Sequence, residues 1–155
     1  MSDTIEARLA ALGLNLPDAP APAANYVPHV TSGNLVFIAG QIPMVDGKPA
    51  HQGRLGADID IAQGQAAARV VALNILAQAR AACGGDLERV GRCVKLGGFV
   101  QCTEDFGDMP QVINGASDLM VAVLGDRGRH ARFAVGVAAL PFGVSVEIDA
   151  VFEVA

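Results

Sequence analysis

From Val144 to Phe152 the chain alternates one for one: Val144, Val146, Ile148, Ala150 and Phe152 fall on one side, and Ser145, Glu147, Asp149, Val151 and Glu153 on the other. Period two is the signature of a strand with one covered face. Two earlier stretches, LVFIAG (residues 35–40) and ARFAVGVAAL (131–140), are apolar at nearly every position. They predict strands covered on both faces. RCVKLGGFVQC (92–102) predicts a fourth strand.

Between these strands the period changes. IAQGQAAARVVALNILAQARAAC (61–83) predicts a long helix with Ala66, Val70, Leu73 and Ala77 on the buried stripe, Asp60 as its cap and Gly84-Gly85 as its stop. A second helix starts at Asp108-Met109-Pro110 and carries Ile113, Ala116, Met120 and Val123 to about Leu124. A short helix opens the chain from Asp3 to Leu12, with Asp3 as N-cap and Glu6 three residues on. Four prolines, Pro17, Pro20, Pro22 and Pro28, then impose an extended arm, and Tyr26 lies on it. Asp46-Gly47 marks a turn in a loose hairpin.

The element order predicts an α+β protein: one mixed sheet with two helices packed on one face. Residues 1–25 are expected to form the N-terminal helix and proline-rich arm, and residues 26–155 a single domain. The second face of the sheet is too apolar for water, so a closed homo-oligomer is expected to cover it.

Composition narrows the function. Hydrophobic residues are 52% and charged residues 17% of the chain, and the mean hydropathy is +0.38. That is high for a monomer, yet no apolar run reaches the roughly 18 residues of a membrane span. The N-terminus is acidic early and lacks the pattern of a secretion signal, so a cytoplasmic protein is expected. The net charge of −5 without a Lys/Arg cluster argues against nucleic acid as the primary partner. Cys83, Cys93 and Cys102 are odd in number and widely spaced, and His29, His51 and His130 lack ligand spacing, so neither disulfides nor a metal site is signalled.

Two charged residues stand out near the end of the chain. Arg132 opens a nearly uncharged run, and Glu147 sits inside the last strand. From the residues alone, each reads equally as a solvated charge or as part of a site. A guanidinium offers a planar fork for a carboxylate, and a poorly solvated glutamate can serve as a general base.

The segments NYVPHVTSGNLVFIAGQIP, INGASDLM and HARFAVGVAALPFGVSVEIDAVFEVA, in that order, resemble the RidA family, also called the YjgF family. The resemblance runs from Tyr26 to the end. It implies a chorismate-mutase-like fold assembled as a homotrimer with clefts between subunits. It also implies hydrolysis of 2-aminoacrylate-type enamines and imines to 2-keto acids and ammonia, without a cofactor. By position, the family's carboxylate-binding arginine falls on Arg132 and its last-strand glutamate on Glu147. Substrate contacts are implied at Tyr26, Gly40, Asn114 and Ala134. The chain departs from the family pattern at Ala39, Phe133 and Ala134, where relatives often carry Ser, Ser or Thr, and Cys. The alternatives are a non-catalytic trimer that binds small carboxylic or 2-keto acids and, on the charge argument, a less favoured endoribonuclease.

Overall fold

The structure, a computed structural model, describes residues 3–22 and 24–155. In chain order it contains α1 (Ile5–Ala11), β1 (His29–Ser32), β2 (Leu35–Gln41), the small hairpin β3 (Met44–Val45) and β4 (Lys48–Pro49), α2 (Ile61–Ala82), β5 (Val90–Gln101), α3 (Met109–Leu124), β6 (Ala131–Val137) and β7 (Val146–Val154). The five longer strands form one mixed sheet in the order β1-β2-β7-β5-β6. Only β5 and β6 run parallel, joined by α3, as a strand–helix–strand crossover requires.

The alternation of β7 is realised as expected. Val146, Ile148, Ala150 and Phe152 are buried under the helices, while Glu147, Asp149, Val151 and Glu153 take the other face. On the predicted strand LVFIAG, Val36 and Ile38 join the core, whereas Phe37 turns outward and is 46% exposed. The open face therefore carries Val30, Phe37, Phe99, Phe133, Val135 and Val151, and it remains apolar in the single chain. Phe99 and Phe133 meet edge to face there at 5.3 Å, and Lys95 Nζ lies 5.4 Å from the Phe133 ring centre.

The helices differ from expectation in three ways. The cap of α1 is Thr4, whose hydroxyl accepts from the Ala7 N–H, while Asp3 instead pairs with Arg8 at 2.8 Å. Thr4 wins because its side chain sits three residues before an orphan N–H of the first turn. The buried stripe of α2 is rotated from the predicted one: Ala66 is exposed and Val70 and Leu73 only half-buried, while Gly64, Ala67, Ala68, Val71, Ala72, Ile75, Leu76 and Ala79 are buried, with Ala77 beside them. The expected cap of α2 is present as a capping box, with Asp60 accepting from Gln63 N–H and Gln63 accepting from Asp60 N–H, both at 2.8 Å. Finally, α1 makes a third helix in the layer, burying Ile5 and Leu9 and packing on α3. Close approach of α2 and α3 depends on Gly115, where any Cβ would strike the Gln65 backbone.

The pairing of β2 with β7 slips between Ile38 and Gln41, where three steps on β2 span two on β7. This bulge at Ala39-Gly40 turns the end of β2 beside Glu147.

Candidate functional site

The structure sorts the six sequence-predicted site residues into two separate groups, one around β2 and the central strand β7 and one at the edge strand β6. Tyr26, Gly40 and Glu147 line one cavity of about 400 Å³. Its other walls are the arm at Pro20, Pro22 and Pro28, the turn at Gln41 and Ile42, the hairpin at Met44, and Pro141 with Phe142. Among the described residues, Glu147 is the only charged one lining it. The carboxyl is half-buried among these apolar groups, and its pKa is raised, first by burial and then by the like charge of Asp149 two residues along the same face. Gly40 leaves the carboxylate room: a Cβ built there would run into the Glu147 Oε2 atom.

Arg132, Asn114 and Ala134 form the second group. Arg132 is at the start of β6, the edge strand on the far side of β5 from β7, and its side chain crosses to α3. Nη1 donates to Asn114 Oδ1 at 2.8 Å and to Ser117 Oγ at 3.1 Å, and Nη2 donates to the Pro110 carbonyl at 3.3 Å. Asn114 thus holds the arginine. Ala134, two residues on and therefore on the same side of β6, packs partly buried against the core.

Within one chain, then, Arg132 and Glu147 do not converge. Glu147 pairs in register with Phe99 of β5, and Phe99 with Val135 of β6, so a whole strand separates the two. They also face opposite sides of the sheet, Arg132 toward α3 and Glu147 toward the open face.

Two further residues complete the arginine cluster, and of these Ser117 escaped sequence reasoning. Ser117 Oγ lies 2.9 Å from His130 Nε2, and His130 Nδ1 lies 2.6 Å from the Gly128 carbonyl oxygen. The usable signal was spacing: Ser117 is three residues after Asn114 on a helix, and His130 two before Arg132 on extended chain, which places each pair on one side. The cysteines lie in the core, where burial pushes the Cys93 thiol up to about 12, far from a nucleophile's range. Among the described residues no three His, Cys, Asp or Glu side chains gather as for a metal ion, and no helix is long and apolar enough to cross a membrane.

Comparison with known proteins settles the ancestry of this arrangement. The YjgF/chorismate mutase-like family, whose description also carries the term endoribonuclease, matches residues 6–152. The chain belongs to the RidA/YjgF family. Protein TCP17 of Trypanosoma cruzi is 50% identical over 153 residues, covering 98% of this chain and 95% of that one. A crystal structure of an Agrobacterium tumefaciens protein of unknown function is 53% identical with a TM-score of 0.92, covering 99% of this chain and 94% of that one. RidA from an Antarctic Psychrobacter is 34% identical with a TM-score of 0.60, covering 88% and 94%. The fold is accordingly the chorismate-mutase-like one of the family, with the expected N-terminal helix packed into the same layer as the two longer ones.

Proposed function

We propose that the protein is a homotrimeric deaminase that hydrolyses 2-imino acids, and their enamine tautomers, to 2-keto acids and ammonia. The observation that carries this reading is the split site: a carboxylate-binding fork on the edge strand β6 and a basic carboxylate on the central strand β7 sit on opposite faces of one sheet, beside an open apolar face that a second copy can cover. Packing the open faces around a threefold axis brings Arg132 of one subunit to the Glu147 cavity of the next. The completed cleft holds an imino acid by its carboxylate at Arg132 and presents its imine carbon to Glu147.

Glu147 draws a proton from a water as that water's oxygen bonds to C2. The proton returns to nitrogen, giving a carbinolamine; the hydroxyl proton then passes through Glu147 to the amine as the C–N bond breaks and the C–O bond becomes a carbonyl, so that ammonia leaves, the 2-keto acid remains and one water is consumed. The raised pKa of Glu147 makes it a stronger base once ionised, and fixed positioning supplies the remainder of the acceleration. Pro20, Pro28, Ile42, Met44 and Phe142 leave room for an apolar substrate side chain, so imines larger than 2-iminopropanoate are accepted.

The test is keto-acid or ammonia release from imines generated in situ by an amino-acid oxidase. Release above the spontaneous rate, lost in Arg132→Ala, supports the reading. A wild-type rate equal to the spontaneous one overturns it; carboxylate binding without turnover would then assign the cleft to ligand sensing.

A further inference from the structure

The arginine cluster contains more order than holding one cation requires. A carbonyl oxygen can only accept, so the 2.6 Å contact between Gly128 O and His130 Nδ1 places a proton on Nδ1. In the neutral ring Nε2 is then an acceptor, and the Ser117 hydroxyl, 2.9 Å away, donates to it. With its one proton turned to His130, Ser117 Oγ presents lone pairs to Arg132 Nη1 at 3.1 Å. The chain of donors therefore runs one way, from Arg132 to Ser117 to His130 to the Gly128 carbonyl.

Counting hydrogens gives the consequence. A guanidinium carries five N–H donors. Asn114 and Ser117 take both on Nη1, and Pro110 takes one on Nη2. Two are left among the described residues, Nε–H and one on Nη2, and a carboxylate can take a pair of parallel bonds on that edge. A fork that includes Nη1 would have to break a bond already made.

We propose that Ser117 and His130 are positioning residues that commit Nη1 of Arg132, so that the ligand carboxylate is received side-on by Nε and Nη2. The proposal rests on the reading of Arg132 as the carboxylate-binding residue and specifies which edge it uses and what fixes it. Without Ser117, Nη1 regains a free hydrogen, the guanidinium can rotate between two forks, and His130 loses the donor to Nε2.

Calorimetric titration with 2-ketobutyrate, the keto-acid product, tests this without requiring turnover. Ser117→Ala is expected to weaken binding about tenfold and His130→Ala about threefold, while Ser117→Thr, which keeps a hydroxyl at the same atom, restores binding to within about twofold of wild type. Nitrogen-15 spectra of the neutral imidazole are expected to show the proton on Nδ1 in the wild type. Unchanged affinity in Ser117→Ala and His130→Ala, or a ring protonated on Nε2, overturns the proposal. So does a lowered melting temperature with affinity intact, because that is a purely structural role. Arg132→Ala separates the two levels: if it abolishes binding while Ser117→Ala does not weaken it, only the relay fails. If Arg132→Ala binds 2-ketobutyrate as wild type does, the assignment of Arg132 fails first.

Discussion

The edge strand β6 and the central strand β7 present charged side chains in opposite ways. At the β6 edge, Arg132 is tied by three hydrogen bonds to α3, all to neutral oxygens that neither add nor remove charge. Near the start of the central strand β7, Glu147 stands among prolines, Met44, Ile42 and Phe142, in surroundings that penalise its charge and raise its pKa. A ligand-holding cation benefits from a fixed direction, and a base benefits from poor solvation. Each strand supplies what the corresponding role requires, and neither supplies both.

If a second copy unites the two groups, the largest effect should come from preventing its approach. Phe99 lies on the open face between Glu147 and Val135 in register, touching Phe133. Phe99→Asp places a charge in what the proposed assembly buries, and it is expected to give monomers in sedimentation or scattering and to reduce deaminase activity below detection, with the helical circular dichroism retained. A monomer with full activity would break the comparison at its root.

The next effect asks which subunit supplies which group. Arg132→Ala and Glu147→Gln are each expected to lose at least about a hundredfold in kcat/KM. Unfolded together in equal amounts and reassembled, they should regain about a quarter of wild-type activity. In random mixing about one junction in four joins an intact arginine of one chain to an intact glutamate of its neighbour. Recovery of none would mean that both residues serve a cleft from the same chain.

How much of this contrast could be read from the sequence depends on how strongly each segment alternates. In β7 every second residue is apolar, so the face that carries Glu147 is legible in the sequence itself. In β6 the run FAVGVAA is apolar throughout, and nothing in it says that Arg132 turns to α3 while Phe133 turns to the open face. The same weakness displaced the stripe on α2: with alanines at 62, 66, 67, 68, 72, 77 and 79, several phases of the helix are nearly equally apolar, and tertiary packing decides among them. Ser117 and His130 carry no periodic signal strong enough to single them out, because Ser and His are common in half-exposed positions. Motif order, by contrast, identified the family without any face being assigned.

The pH dependence sharpens the comparison further, because the carboxyl proposed as the base is the one whose pKa burial raises. Ionised Glu147 is the active form, so kcat/KM should fall as pH drops through its raised pKa, and the acid limb should sit above the ordinary carboxylate range. Stability should move oppositely. A carboxyl whose folded pKa exceeds its unfolded one binds more protons folded, so its presence lowers stability as pH rises through that window. Glu147→Gln is therefore expected to melt higher than wild type near neutral pH, with the difference vanishing below the unfolded carboxylate pKa. An equal or lower melting temperature at neutral pH would remove the argument for a poorly solvated base.

The smallest effect belongs to Gly40, and it tests whether the bulge in β2 exists to give Glu147 its place. A methyl group at Gly40 meets the carboxylate end of Glu147, which is the far end of a flexible side chain and can rotate away. Gly40→Ala should consequently fold with a melting temperature within a few degrees of wild type, because only one side-chain terminus has to move. Within the chain two strands, β7 and β5, separate Gly40 from Arg132, which keeps its hydrogen bonds, so the affinity for 2-ketobutyrate should be nearly unchanged. What should fall is kcat, by about tenfold, since a base displaced by about 1 Å no longer reaches the water that attacks C2. Loss of affinity with kcat preserved would reverse the roles of the two strands.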